Sequence, residues 1–248
     1  MNSSAPHDFS RRAVFTAAWR YSIPVLLGYS TIGIGFGLFL TGTGYPWWLA
    51  FFMSLWIYAG AGQFIAVGLF AAGTGLLQAC LIQLVVNARH IAYGFSMLKR
   101  FAGLGSFKPY MIFSLTDETF ALLSSCPDKP AESGRSQEEQ NFFMFCVSML
   151  NQCYWILGSV TGAVAGTLIP FDMKGISFAL TALFVVLMIE QIQKVKKPGV
   201  FVVSGAAALL GVFFLPGRIS ILAALVLSLF LAYFIEKKYP AAEREKHE

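Results

Sequence analysis

The sequence predicts an all-α fold, a polytopic bundle of transmembrane helices with about seven or eight membrane segments, broken or re-entrant in places in its first half. Hydrophobic residues make up 56% of the 248 residues and charged residues 12%, about half the charged share of a soluble domain. The apolar residues also lie in long runs that lack the alternation of a membrane β-strand. Helices suit such runs because they satisfy their own backbone hydrogen bonds.

Eight apolar runs are the candidate membrane segments, and most are close to the length of about 20 residues that crosses a bilayer. The breaks between them are glycine-rich near the start of the chain and mostly charged or polar afterwards. In chain order the runs are residues 21–40, 47–70, 76–98, 109–125, 142–169, 176–192, 200–215 and 219–235.

The two ends of the chain are predicted to lie outside this single transmembrane domain of residues 21–236. Residues 1–20 read as a cytoplasmic or interfacial segment held by Arg11, Arg12 and Trp19, and residues 237–248 as a cytoplasmic tail. Ser10-Arg11-Arg12 resembles a twin-arginine export signal, but no small-residue cleavage site follows, so we expect no cleavage.

The positions of the basic residues predict two cytoplasmic termini, because cytoplasmic loops collect Lys and Arg. Eight full spans satisfy this at both ends but place Lys99, Arg100 and Lys108 outside. The conflict disappears if two early segments are broken or re-entrant. Run 109–125 is one candidate, since it is short and contains an acid pair, and the glycine-containing stretch 58–64 is the other.

Ionisable residues inside two apolar runs mark the candidate site. Asp117 and Glu118 lie in run 109–125, and Arg89 and His90 follow Asn87 in run 76–98. Charges at membrane depth cost several kcal/mol, so they are retained mainly where they line a cavity or pair with each other. Asn87 and Arg89 point in nearly opposite directions on a regular helix, so both reach one cavity only if the helix is interrupted there or is surrounded by protein.

These residues suit a zwitterionic ligand. Arg89 offers a planar guanidinium that can clamp a carboxylate with two hydrogen bonds. Asp117 or Glu118 can receive an ammonium group or carry a coupling proton, and the surrounding apolar residues suit an aliphatic side chain.

Structural alternatives remain open for several of these residues. Arg89 and one acid can form a buried ion pair that only locks two helices, and His90 can serve helix packing. Gln63 is a candidate either for substrate contact or for an interhelical hydrogen bond. The polar residues Asn151 and Gln152 are predicted to join helices, and the stripe of Gly158, Gly162 and Gly166 to allow close helix packing.

Other functional classes receive little support. The net charge is +5, and the basic residues are divided among small groups beside apolar runs. This distribution is not typical of a nucleic-acid-binding surface. Three histidines and four cysteines show no metal-ligand spacing, so we expect no metal site, and no cofactor motif or Walker sequence is present.

Three ordered motifs give the chain a family resemblance. Residues 58–64 read Y-A-G-A-G-Q-F, residues 87–94 read N-A-R-H-I-A-Y-G, and residues 116–120 read T-D-E-T-F. In order and spacing they resemble the motifs of the AzlC family of branched-chain amino acid permeases. The resemblance is strongest over residues 24–120 and adds Tyr58 and Tyr93 to the candidates, which are then Tyr58, Gln63, Asn87, Arg89, His90, Tyr93, Asp117 and Glu118.

The resemblance implies a secondary transporter and not an enzyme. It implies export of valine-, leucine- or isoleucine-like amino acids, and in some cases methionine, across the inner membrane with a small hydrophobic AzlD-type partner subunit. Coupling to the proton gradient is the expectation that follows. Two alternatives stay open: a membrane-embedded enzyme that uses His90 with Asp117 or Glu118, and a structural scaffold for the partner subunit.

Overall fold

A computed structural model of the chain describes residues 10–127, 135–168 and 198–214. It also places six single helical positions, which are Val185, Met188, Ile189, Ile192, Leu227 and Phe230. The chain divides into two compact units, Met1–Ile176 and Ser177–Glu248. Helices are the only regular secondary structure in the described segments, as predicted. Predicted runs 176–192 and 219–235 fall mostly outside these segments, so the number of full spans stays a prediction.

Two helices of 32 residues each frame the first unit: α1, Arg11–Gly42, and α8, Gln137–Leu168. Within the described residues these are the two helices long and apolar enough to cross a membrane. Each extends about 48 Å, which exceeds the roughly 30 Å of a bilayer core. Helix α1 already begins at Arg11, so residues 11–20 of the predicted amino-terminal segment and the first apolar run form one continuous helix.

The three apolar runs between α1 and α8 are each broken into two shorter helices. This confirms the prediction of broken helices in the first half of the chain. Run 47–70 gives α2 and α3, run 76–98 gives α4 and α5, and run 109–125 gives α6 and α7. Their bounds are Trp48–Trp56, Gly60–Ala71, Leu76–Val86, Ala88–Met97, Lys108–Phe113 and Asp117–Ser125, with a 3-10 turn at Gly105–Phe107 before α6.

The second unit contains α9, Pro198–Phe214, which matches predicted run 200–215. Its sequence is almost entirely apolar, and Val202, Leu209 and Phe213 are largely exposed within the unit. Lipid or protein must therefore cover this helix, because an apolar surface of this size is unfavourable in water.

Glycines bring α1 and α8 into backbone contact. A Cβ atom on Gly33 would lie 3.0 Å from the Ser159 nitrogen, and one on Gly158 would lie 2.9 Å from the Tyr29 carbonyl oxygen. A Cβ on Gly162 would overlap the backbone of Ile34. The predicted packing role of the glycine stripe is confirmed, and the core of the unit forms along this seam.

Aromatic side chains fill the space beside the seam. Trp155 of α8 packs edge-on against Tyr29 of α1, with ring centroids 5.4 Å apart, and lies 6.2 Å from Phe36. Phe36 in turn packs against Phe64 of α3. These rings join the broken helices to the long ones, and the polar residues of the site lie around them.

Candidate functional site

The first helix break, between α2 and α3, is built on Tyr58. This residue has a φ of +40°, which among the described residues is the one positive value outside glycine. Such a conformation costs roughly 1–3 kcal/mol for a bulky residue, and it persists only where the surroundings enforce it. The side chain is 3% exposed, and its hydroxyl faces Tyr29 and Thr119 without a well-formed hydrogen bond to either.

The third break, between α6 and α7, places the two acids at a helix start. Thr116 is the N-cap of α7, and its side-chain oxygen accepts the Thr119 backbone N–H. Asp117 and Glu118 then occupy the first turn, where the helix dipole favours negative charge. The sequence T-D-E-T therefore forms a cap that fixes both carboxylates near the break.

The second break falls at Asn87, between α4 and α5, and is one of the two arrangements that the opposed directions of Asn87 and Arg89 allowed. The Asn87 amide donates to Gln83 at 2.9 Å, and Gln83 donates to the Gly62 carbonyl of α3 at 2.7 Å. A Cβ on Gly62 would lie 2.9 Å from the Asn87 amide nitrogen. Asn87 thus packs against α3, and its amide oxygen is buried without a partner.

Arg89 and Asp117 connect the second break to the third. The Arg89 guanidinium lies 3.0 Å from the Asp117 carboxylate, and the two side chains are 38% and 34% exposed. The Tyr93 hydroxyl donates to the other Asp117 oxygen at 2.8 Å. Arg89 Nε is buried without an acceptor, so part of the guanidinium is available to another group.

Glu118 is held by a different helix from Asp117. The Tyr29 hydroxyl of α1 donates to a Glu118 carboxylate oxygen at 2.8 Å and lies 2.5 Å from the Thr116 hydroxyl. Tyr29 also approaches Tyr58 at the first break. The three breaks therefore meet around Tyr29, Asp117 and Glu118, and the two neighbouring acids have separate partners.

A buried polar row continues inward from Thr116. The Thr116 hydroxyl donates to Thr119 at 2.9 Å, and the Asn151 amide of α8 donates to the same Thr119 oxygen at 3.0 Å. Thr119 and Asn151 are fully buried, and the Asn151 amide oxygen has no hydrogen-bond partner. The row connects the acid pair to the interior face of α8.

Two predicted residues occupy different surroundings. Gln63 is fully buried, donates to Ser54 at 3.2 Å and accepts from the Trp155 indole at 2.7 Å, so its amide already joins helices. His90 is half-buried and lies 6.0 Å from Tyr93 between ring centroids. In the described segments it has no hydrogen bond to Asp117 or Glu118.

Sequence reasoning did not select Tyr29, Thr116 or Thr119 as site residues. Thr116 and Thr119 lie inside the T-D-E-T-F motif, and the available signal was a Thr followed by two acids, which is typical of an N-cap and first helical turn. Tyr29 lies in the mostly apolar run 21–40, beside Ser30 and Thr31. No sequence pattern indicates which helix its hydroxyl reaches.

Metal binding finds no support in the described segments. They contain no group of three or more His, Cys, Asp or Glu side chains that could hold a metal ion. The arrangement of hydrogen-bonding and charged groups instead suits a small polar organic ligand.

Three known proteins are similar to the chain over most of its length. The chain is 42% identical over 188 residues to an uncharacterised membrane protein of Helicobacter pylori, with 76% of this chain and 79% of the relative covered. It is 36% identical to the branched-chain amino acid transport protein AzlC of Bacillus subtilis, covering 75% and 70%. It is 30% identical to the inner membrane protein YgaZ of Escherichia coli, covering 91% and 92%.

No solved structure matches the chain. The family model described as AzlC protein matches residues 24–169, which include all three helix breaks and both acids. The chain belongs to the AzlC family.

Proposed function

We propose that this protein is the large subunit of a secondary transporter that exports branched-chain amino acids across the inner membrane. Substrates would be valine-, leucine- or isoleucine-like, with methionine as a further possibility. Transport would be driven by the proton gradient and would require a small hydrophobic AzlD-type subunit. The observation that carries the proposal is the meeting of three helix breaks around the Arg89–Asp117 ion pair.

Broken helices support a transport role because a break leaves backbone N–H and C=O groups unpaired. A continuous helix would pair the same groups internally. Helix starts present unpaired N–H groups, and transporters use such starts to bind the charged ends of their substrates. Here α5 and α7 both start at the site, and each carries a charged side chain in its first turn. The site can therefore offer both signs of charge within one small volume.

Arg89 is the proposed carboxylate contact. A guanidinium has five N–H donors, and in the ion pair with Asp117 the Arg89 Nη1 atom lies 3.0 Å from the carboxylate. The buried and unpaired Nε leaves a donor that a carboxylate would satisfy. An amino acid would bind there through a planar pair of hydrogen bonds, which Lys cannot reproduce.

Asp117 is the proposed contact for the ammonium group. Its carboxylate already lies beside Arg89 and Tyr93, so an arriving zwitterion would meet opposite charges a few ångströms apart. The Tyr93 ring stacks on Phe120 with centroids 4.4 Å apart, which gives the site an apolar wall. Such a wall suits an aliphatic substrate side chain.

The name of the Bacillus relative, a branched-chain amino acid transport protein, supports the substrate class. The partner subunit and the inner-membrane location with cytoplasmic termini rest on the family resemblance and the basic flanking residues. The eight candidate residues have different proposed roles. Arg89, Tyr93 and Asp117 would bind substrate, Glu118 and Tyr58 would assist coupling, and Gln63, Asn87 and His90 would support the helices around the breaks.

The alternative of a membrane-embedded enzyme has less support. It requires His90 to act with an acid, since a general base is held and oriented by a hydrogen bond. In the described part of the chain His90 has no such bond. The scaffold alternative is favoured by one observation, that Arg89 of α5 and Asp117 of α7 form an ion pair that joins two helices.

Efflux of labelled leucine from proteoliposomes containing the protein and its partner subunit tests the proposal. We expect Arg89→Ala and Asp117→Asn each to lower leucine efflux by at least about tenfold, a loss of about 1.4 kcal/mol of binding or activation free energy. Arg12→Ala, a loss of charge outside the site, serves as the control and should transport normally. Unchanged efflux in both site variants, or efflux of no amino acid by the unmodified protein, would contradict the proposal.

A further inference from the structure

Helices α1 and α8 run in the same direction, so together they give a scale of depth through the first unit. Arg11, the first residue of α1, lies 6.0 Å from the ring centroid of Phe142 near the start of α8. At the other end, a Cβ on Gly166 of α8 would overlap the Thr41 side chain of α1. The unit therefore has an Arg11 end, where both long helices begin, and a Thr41 end, where both finish.

Helices α2 and α3 form a hairpin that enters and leaves at the Thr41 end. Tyr45, just before α2, packs against Phe70 near the end of α3, with ring centroids 6.3 Å apart. Between these two points the chain reaches mid-depth, where the Leu55 carbonyl accepts from the Gln152 amide at the midpoint of α8, at 3.1 Å. A full span would have placed Phe70 at the Arg11 end instead.

Helices α6 and α7 form a second hairpin, which enters and leaves at the Arg11 end. Phe107, just before α6, packs against Phe145 in the first part of α8, with ring centroids 4.7 Å apart. Helix α7 then returns to the same level, because the Leu122 carbonyl near its end accepts from the Tyr21 hydroxyl of α1 at 3.0 Å. The two hairpins thus enter the unit from opposite ends.

The tips of the two hairpins meet at mid-depth. Phe113, at the end of α6, packs against Tyr58 at the first break, with ring centroids 6.3 Å apart. The Gln152 side chain of α8 contacts both hairpins, since its oxygen accepts from the Tyr110 hydroxyl at 2.9 Å while its nitrogen donates to Leu55. Neither hairpin passes the other, so each fills its own half of the depth.

The broken helix α4–α5 crosses between the hairpins, from the Thr41 end to the Arg11 end. Arg100, beyond α5, donates to the Pro127 carbonyl beyond α7 at 3.0 Å, which places the end of this crossing beside the end of the second hairpin. Arg89 and Asp117 lie at the break, level with the tips. A crossing followed by a hairpin therefore occurs twice in opposite directions, which is the order of an inverted repeat.

The charges of the two ends differ. In the described segments no charged side chain lies at the Thr41 end, over residues 40–48, 70–77 and 164–168. The basic residues gather at the other end, which they mark as cytoplasmic; they are Arg11, Arg12, Arg20, Lys99, Arg100, Lys108 and Arg135. The conflict that eight full spans created for Lys99, Arg100 and Lys108 is absent from this arrangement.

We propose that residues 48–71 and 108–125 are re-entrant hairpins that enter the membrane from the outer and the cytoplasmic side, and that they are the outer and the inner gate of the substrate site. One hairpin separates the level of Arg89 and Asp117 from each surface. Alternating access then requires one hairpin to move while the other stays closed. The gating role rests on the proposed transport function, whereas the path of the chain does not.

Thiol labelling from each side of the membrane tests the path of the chain. Single cysteines are introduced at small residues beside the hairpins, and a membrane-impermeant maleimide is applied to intact cells that express both subunits and to inverted membrane vesicles. We expect Thr43→Cys and Ala72→Cys to react in intact cells. Ser106→Cys and Ser125→Cys should react in inverted vesicles and not in cells.

Ser10→Cys, next to Arg11, is the matched control for the cytoplasmic side, and the unmodified protein gives the background of its four native cysteines. A full span over residues 48–71 would place Thr43 and Ala72 on opposite sides of the membrane, and this result would overturn the proposal. Reaction of Ser106→Cys and Ser125→Cys from opposite sides would overturn it equally. If both pairs react from the reverse sides, the assignment of outer and inner gate is wrong.

Movement of the gates is measured at a buried serine of each hairpin. Ser54 of α2 and Ser114, which follows α6, are fully buried, so a small charged thiol reagent reaches them only when a hairpin moves. We expect leucine to change the labelling rates of Ser54→Cys from outside and Ser114→Cys from inside in opposite directions, each by at least about fivefold. Ser22→Cys, at a fully buried serine of α1, is the matched control, and leucine should leave its rate unchanged.

Two outcomes at these serines would overturn the gating role. Leucine would leave both hairpin rates unchanged, or it would shift them in the same direction. Failure of the unmodified protein to move leucine would instead contradict the proposed function, while the labelling beside the hairpins would still decide the path of the chain.

Discussion

Arg89 at the start of α5 and Asp117 at the start of α7 form an ion pair of 3.0 Å. The two residues are 28 positions apart, each in the first turn after a helix break. Ion pairs between partly exposed groups contribute little to stability in water. In a low-dielectric surrounding an unpaired charge is expensive, so each partner makes the presence of the other possible.

Replacing Arg89 by Lys separates the contribution of this ion pair to stability from the proposed contact of Arg89 with the substrate carboxylate. Lys keeps the positive charge beside Asp117 but presents one ammonium group in place of the planar fork. We expect Arg89→Lys to change the melting temperature little and to weaken leucine binding by about tenfold, or about 1.4 kcal/mol. Binding of labelled leucine to the detergent-purified complex and a thermal unfolding scan provide the two measurements.

Arg12→Lys is the matched control for that experiment, since Arg12 is exposed and outside the site. It should alter neither quantity. If Arg89→Lys binds leucine normally while Arg89→Ala fails to fold, the pair is an interhelical lock and Arg89 has no substrate role.

The sequence indicated that the second run is either interrupted at Asn87 or surrounded there by protein. Asn87 and Arg89 point in nearly opposite directions on a regular helix, and both are too polar to face lipid. The helix bounds agree, because α4 ends at Val86 and α5 begins at Ala88. The glycine seam was predictable for a similar reason, since small residues four apart occupy one helix face.

Which of the two acids contacts Arg89 and which contacts Tyr29 was not predictable from the sequence. Adjacent residues point about 100° apart on a helix, and which direction meets Arg89 depends on how α7 is rotated against α1 and α5. The contact of Glu118 with Tyr29 joins residues 89 positions apart. No local pattern fixes such a rotation, since it results from the packing of the whole unit.

Tyr58 allows a test that separates stability from function. Its hydroxyl is buried without a well-formed hydrogen bond, so removing it should cost no stability. We expect Tyr58→Phe to leave the free energy of unfolding unchanged or to raise it by up to about 1 kcal/mol. If the hydroxyl meets substrate or a transferred proton, leucine efflux should fall nevertheless.

Tyr110→Phe is the matched control for that variant. The Tyr110 hydroxyl donates to Gln152 at 2.9 Å, so its removal should lower the free energy of unfolding by about 1 kcal/mol with little change in efflux. Equal effects of the two variants on stability, with normal efflux in both, would remove Tyr58 from the site.

Gln63 is expected to behave as a structural residue. Its amide donates to Ser54 and accepts from the Trp155 indole at 2.7 Å. Gln63→Leu would leave the buried indole N–H without an acceptor, which costs about 1–3 kcal/mol. We expect that loss in the free energy of unfolding, measured by denaturant titration, while leucine affinity in the folded fraction changes by less than about twofold, or 0.4 kcal/mol.

A double variant checks the stated cause for Gln63. In Gln63→Leu with Trp155→Phe the unsatisfied indole is gone, so the combined loss should be smaller than the sum of the two single losses. Strict additivity would mean that the hydrogen bond contributes nothing. A large loss of leucine affinity in Gln63→Leu would return this residue to the substrate site.

The close approach of α1 and α8 predicts opposite outcomes for one substitution at two glycines. A Cβ at Gly162 would overlap the backbone of Ile34, whereas a Cβ at Gly35 meets no atom within 4 Å. Gly162→Ala must therefore push two long helices apart, at a cost of about 3 kcal/mol, the upper end for overpacking. Gly35→Ala replaces glycine in a helix and should gain up to about 1 kcal/mol. Thermal unfolding of both purified variants measures the difference, and a Gly162→Ala protein as stable as Gly35→Ala would show that the backbones of α1 and α8 are not in contact.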